Sequence, residues 1–171
     1  GVMATGRERY GSLTTPDPVA LHAELADLAA AGVTRLALEA SSHGLDQFRL
    51  DGVRVTLAAF TNFTQDHLDY HATMAEYLAA KTRLFDQVLP PGGTAVINAD
   101  VPEAAGLVAR TRAAGRKVLT LGRAGQEFRL DLAEPLPHGI DLRFTAGGKA
   151  YRAELPLVGQ VPHSLVTVAV L

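Results

Sequence analysis

The chain has 171 residues, 47% of them hydrophobic and 20% charged, with a formal net charge of −2. That composition suits a globular domain with its own core, and it supplies no basic field to draw nucleic acid or an anionic membrane. There is no cysteine, which excludes disulfides, thiolate metal sites and a cysteine nucleophile and suits a cytoplasmic setting, and no apolar run is long enough to span a membrane.

Residues 1–13 are Gly-rich and polar and read as a strand end and loop. Asp17 then offers an N-cap and Pro18 the first helical position; Leu21, Leu25 and Leu28 follow at helical spacing and Gly32 is a natural stop, so a helix is expected over 18–31. RLALEA (35–40) reads as a short buried strand ending in Glu39, SSHGLDQFRLDG (41–52) as a loop with one or two helical turns, and VTLAAF (55–60) as a second buried strand. Met74, Tyr77, Leu78, Lys81 and Phe85 recur at helical spacing and predict a helix over 73–86. A third strand is expected at 94–98 (TAVIN), a helix at 102–114 and a fourth strand at 117–122 (KVLTLG). The alternation implies an α/β fold, a mostly parallel sheet with flanking helices. After Gly122 the period changes. FRLDLAEPL, IDLRFTA and KAYRAELPL alternate apolar and polar residues, with Pro-His-Gly and Gly-Gly between them, as antiparallel strands do. A small antiparallel β subdomain is therefore expected over 123–160.

In an open α/β sheet, ligands bind beyond the carboxyl ends of the strands. Glu39 ends one predicted strand, Thr61 and Asn62 the next with His67 following, and Asn98 and Asp100 the third. A carboxylate, an imidazole and amides are thus expected on one edge. In DHLDYHATMAEYLAAK (66–81), His67 and His71 have the spacing of a helical zinc pair, but Leu68 stands where a zinc hydrolase carries its glutamate base. Taken alone, either histidine is more often a hydrogen-bonded core or surface residue than a ligand. Lys81 taken alone is a solvated or snorkelling helix lysine, although Ala79 and Ala80 leave room for its amine to turn inward. Thr14 and Thr15, before a helix, can be simple capping. SSHGL is not the G-x-S-x-G elbow of a serine hydrolase, because Ala40 and His43 occupy the wrong places. Neither a G-x-x-x-x-G-K-[ST] loop nor G-x-G-x-x-G occurs in the chain.

TTPDP, LEASSHGLDQFR, FTNFTQDHLDYHATMAEYLAAKTRLF and AVINAD together resemble the Mur ligases, strongly over residues 1–122 and loosely beyond. EASSHGL followed by Gln47 and Arg49 points to the MurE branch of that family. The resemblance implies an ATP-dependent ligase of peptidoglycan synthesis that adds the third amino acid, meso-diaminopimelate or L-lysine, to UDP-MurNAc-L-Ala-D-Glu through an acyl phosphate. It implies Glu39, His67 and Lys81 as ligands of Mg2+, with Lys81 carried as a carbamate and, with His67, catalytic. It gives Thr14, Thr15, Ser41, Gln47 and Arg49 to the UDP-MurNAc-dipeptide and Asn98 to the ATP site, and it gives His71 no role. Residues 1–122 would be part of the central domain, and 161–171 the start of a following helix of it. The family's phosphate loop would lie upstream of Gly1, so the chain is expected to be a piece of a longer, monomeric protein and inactive alone. The departures are Val101 where an aspartate is common, and GQVPHSLVTVAVL in place of a G-x-F-N-x-x-N segment. The competing readings are another ligase of the superfamily, such as folylpolyglutamate synthase, and a binding module without catalysis.

Overall fold

The computed structural model describes residues 2–4 and 7–9 as backbone and residues 14–64 and 70–156 in full. The chain divides into two compact units, residues 1–55 with 65–89, and residues 56–64 with 90–171.

In the first unit, β1 (Val2–Ala4) pairs antiparallel with both β2 (Arg7–Arg9) and β3 (Ala37–Leu38). Helix α1 spans Pro18–Ala30. The Asp17 carboxylate accepts the amides of Val19 and Ala20 at 3.0 Å, and Gly32 at φ 79° closes the far end. Helix α2 (Ser42–Asp46) starts on Ser41, whose Oγ accepts the Gly44 amide at 3.1 Å. Helix α3 (Met74–Arg83) starts on a T-x-x-E pair: Thr73 Oγ1 accepts from the Glu76 amide, and Glu76 Oε2 accepts from the Ala72 amide. It then widens into one π turn over Leu84–Val88, and Pro90 and Pro91 bar any continuation. Leu21, Leu45, Leu50 and Val88 form the core, with Leu25, Leu38 and Val53 packed against it.

The strand expected over 35–40 is shorter than its sequence suggested, and it is not buried. Leu38 and Ala40 pack on the core while Arg35, Ala37 and Glu39 are exposed, and the pairing with β1 is antiparallel. An R-L-A-L-E-A alternation is that of a strand with one covered face, not of a central parallel strand.

The second unit is built on a six-stranded sheet in chain order: β4 (Leu57–Phe60), β5 (Thr94–Asn98), β6 (Lys117–Gly122), β7 (Phe128–Leu136), β8 (Gly139–Ala146) and β9 (Lys149–Leu155). The pairings from β4 to β7 are parallel and those from β7 to β9 antiparallel. Helix α4 (Ala104–Ala113) packs on β5 and β6. Strand β5 is paired on both sides and buries the apolar run Ala95, Val96 and Ile97, whereas β4 is paired on one side among the described residues and leaves Leu57 exposed. The antiparallel strands continue the parallel ones through a short ladder, Leu121 opposite Phe128 and Gly122 opposite Arg129. Leu130, Ile140 and Leu142 form their core. Residues 161–171 lie outside the described residues.

Candidate functional site

In the first unit, residues 39–49 are organised around one buried hydroxyl. Thr15 is 1% exposed. Its Oγ1 donates to the Glu39 carbonyl, accepts the Ser41 amide and meets Ser41 Oγ, each at 3.0 Å. Thr15 therefore acts inward, fixing the chain on both sides of Ala40, while Thr14 is exposed beside it. Such an approach needs Gly44, because a Cβ there would lie 2.7 Å from Thr15 Cβ.

Arg49 is half-buried and held from two sides. Its Nη1 donates to the Thr15 carbonyl at 2.8 Å, and its Nε and Nη2 both donate to Gln47 Oε1. Gln47 is held in turn: its Nε2 donates to Tyr70 Oη at 3.1 Å, and that hydroxyl donates to Asp46 at 2.9 Å. The result is a guanidinium fixed in plane and orientation beside an exposed amide. Among the described residues, three of its five N–H groups are engaged, and the other two suit a carboxylate or phosphate.

Lys81 is half-buried on α3, and its Nζ sits 5.0 Å from the centroid of the Tyr77 ring. That ring face suits an ammonium. His71 is 4% exposed, packed among the rings of His43, Tyr70 and Tyr77, and its Nε2 has no hydrogen-bond partner among the described residues. Its burial on an aromatic cluster was not legible from the spacing of the two histidines. Glu39 is exposed, directly after β3, with its backbone pinned by Thr15. His67 lies outside the described residues. The donor chemistry fits a hard cation on one condition. Glu39 offers oxygen, but Lys81 can offer it only as a carbamate, since an ammonium cannot ligate a cation.

Asn98 belongs to the second unit and is 6% exposed. Its Nδ2 donates to the Thr61 carbonyl at 2.6 Å and its Oδ1 accepts the Asp100 amide at 3.0 Å. Asp100 accepts the amides of Arg123 and Ala124, both at 2.8 Å. Gly122, at φ 112°, lets the chain pass these two side chains, since a Cβ would lie 2.7 Å from Asp100 Oδ2. The Asn98 amide thus ties the loop after β4, through Thr61, to the loop after β5, through Asp100. Nearby, burial pushes the Glu127 carboxyl up, but the Thr120 amide and hydroxyl, aided by Arg112, outweigh it and hold the group below its ordinary value.

Residues 1–170 match the family described as the Mur ligase middle domain. The UDP-N-acetylmuramoyl-L-alanyl-D-glutamate–2,6-diaminopimelate ligase of Agrobacterium fabrum is 51% identical over 168 residues, 97% of this chain and 34% of that protein. The ligase of the same name from Mesorhizobium japonicum is 52% identical over 169 residues, 98% of this chain and 35% of its own. A solved structure of a ligase of that name superposes with a TM-score of 0.80 at 32% identity, over 92% of this chain and 33% of its own. The chain spans about a third of the length of these relatives. With the family's middle domain matched over nearly every residue and its fold reproduced, the chain belongs to the Mur ligase family.

Proposed function

We propose that the chain is the middle part of a MurE-type ligase, a cytoplasmic monomer that uses ATP to add diaminopimelate to UDP-MurNAc-L-Ala-D-Glu in peptidoglycan synthesis. The γ-phosphoryl group of ATP passes to the D-glutamate carboxylate, giving an acyl phosphate and ADP. The amine of the incoming amino acid attacks the acyl carbon, the C–N bond forms, phosphate leaves and the amine gives up a proton. The protein's task is to bring anions together and to oppose the charge that develops. Arg49, with Gln47, would grip the anionic precursor, and Thr14, Thr15 and Ser41 would shape its binding surface. Asn98 would hold the loop that meets the adenine. Glu39, His67 and the carbamate of Lys81 would hold Mg2+, which when bound neutralises charge on the phosphoryl group. To become that carbamate, Lys81 must react with CO2 as the neutral amine.

The observation that carries this reading is the fixed Arg49–Gln47 pair, two oxygens holding one guanidinium at the edge of the 41–49 segment. The relatives near 50% identity favour it over folylpolyglutamate synthase and over a module without catalysis. The test uses the full-length protein with ATP, UDP-MurNAc-L-Ala-D-Glu and meso-diaminopimelate. Product that depends on all three is expected, and turnover with a folate acceptor instead would overturn the reading. Lys81→Ala and Lys81→Arg should each lose turnover by about 10²–10³-fold, the scale of removing one group that stabilises the transition state. A small carboxylic acid should partly restore Lys81→Ala. Near-normal activity of Lys81→Arg would show that the lysine serves only as a cation.

A further inference from the structure

Helix α2 ends in a way its sequence does not favour. The Arg49 amide donates to the Gly44 carbonyl at 2.8 Å and the Phe48 amide to the Leu45 carbonyl at 3.2 Å. These are the paired bonds of a Schellman ending, and they put Phe48 in the left-handed region at φ 59°. Helices α1 and α4 close with the same paired bonds, but there Gly32 (φ 79°) and Gly115 (φ 75°) take that position. Among the described residues, Phe48 is the one non-glycine residue with positive φ. A bulky side chain is strained there and persists only when its surroundings hold it.

No core holds Phe48, a residue 56% exposed. Arg83 does. Its guanidinium carbon lies 4.2 Å from the Phe48 centroid, its Nε donates at 2.9 Å to the Leu45 carbonyl, and its Nη2 pairs with Asp51 at 3.3 Å. One side chain therefore covers the strained ring and caps the carbonyl that closes the turn. The residues on either side of Phe48 are Gln47 and Arg49.

We infer that Arg83 is a positioning residue: it clamps the left-handed turn at Phe48, and the clamp sets the orientation in which Gln47 and Arg49 meet the anionic precursor. This rests on the precursor-binding role proposed above for those two residues. Because Arg83 lies two residues after Lys81 on α3, the helix that carries the lysine also holds the precursor turn.

The test is a double-mutant cycle in the full-length protein: Arg83→Met, Phe48→Gly and the two together, with Arg49→Ala in parallel. Methionine keeps an apolar stem and removes the planar cation. Arg83→Met should raise the KM for UDP-MurNAc-L-Ala-D-Glu about tenfold, the effect of one modest interaction, with the KM for ATP and kcat within about twofold. Adding Phe48→Gly should recover most of that loss, because glycine adopts the turn without strain. An unchanged precursor KM in Arg83→Met, or no recovery with glycine, overturns the inference. If Arg49→Ala leaves the precursor KM unchanged, the precursor reading itself has failed. The clamp is then judged from urea denaturation of the same proteins. Arg83→Met should lower the midpoint with Phe48 present and much less with glycine there, and additive effects would overturn it.

Discussion

Gly44 is a place where a very small chemical change should reach the candidate site. An added methyl would lie 2.7 Å from Thr15 Cβ and 2.8 Å from its Cγ2. Those are stiff atoms of a β-branched side chain that is itself buried, so neither can swing aside. Gly44→Ala should therefore cost about 1–3 kcal/mol through overpacking and should weaken precursor binding by displacing Ser41. Thr15 tests the same junction from the other side. Thr15→Val keeps the shape but removes the hydroxyl that accepts the Ser41 amide and donates to the Glu39 carbonyl. Leaving those backbone groups without their partner should cost about 1–3 kcal/mol, whereas Thr15→Ser, which keeps the hydroxyl, should cost much less. Urea denaturation of the three variants checks this order. A Thr15→Val protein as stable as the parent would mean that the hydroxyl does not hold residues 39–41.

Among the elements, strands β7 to β9 are expected to loosen in acid. Asp141 is buried in β8, where Arg152 Nε donates to it at 2.8 Å and Arg143 Nη2 at 3.3 Å. The hydrogen bond from Arg152 holds the Asp141 carboxyl below its ordinary value, against a smaller opposing push from burial. Asp131 is lowered in the same way by Arg129 and Thr145, and Glu127 by Thr120. A carboxyl whose folded pKa lies below its unfolded value adds stability above the unfolded value, about 4 for these side chains. That contribution is lost as the pH falls through the lower folded value. Amide hydrogen exchange over residues 139–155 should thus be well protected at about pH 6 and accelerate below about pH 4 more than the fall in intrinsic rate allows. Asp141→Asn should already be less protected at the higher pH and respond less to acid. Full acid sensitivity in that variant would show that Asp141 is not the group responsible.

At the scale of the whole chain, what was legible in the sequence is what local chemistry determines. Asp17, Pro18 and Gly32 bound α1 through bonds within a few residues, and TAVIN and KVLTLG form strands because short, largely apolar segments suit the interior of a sheet. The alternation after Gly122 marked β7 to β9, but not that β7 would pair parallel with β6. The left-handed turn at Phe48 was hidden, because it contradicts local propensity and depends on Arg83, far along the chain. The roles of Glu39, His67 and Lys81 came from family resemblance rather than from spacing. The same distinction bears on what these 171 residues can do alone. They fold into two units, yet they span about a third of the relatives' length. Acyl-phosphate formation needs a cradle for the β- and γ-phosphates, and the sequence contains no G-x-x-x-x-G-K-[ST] loop to supply one. The purified chain should therefore be folded by circular dichroism but release no phosphate above background from ATP, with UDP-MurNAc-L-Ala-D-Glu and diaminopimelate present. The full-length protein, under the same conditions, should release it in step with product. Precursor-dependent phosphate release by the 171 residues alone would mean that they bind and activate ATP by a route other than a phosphate loop.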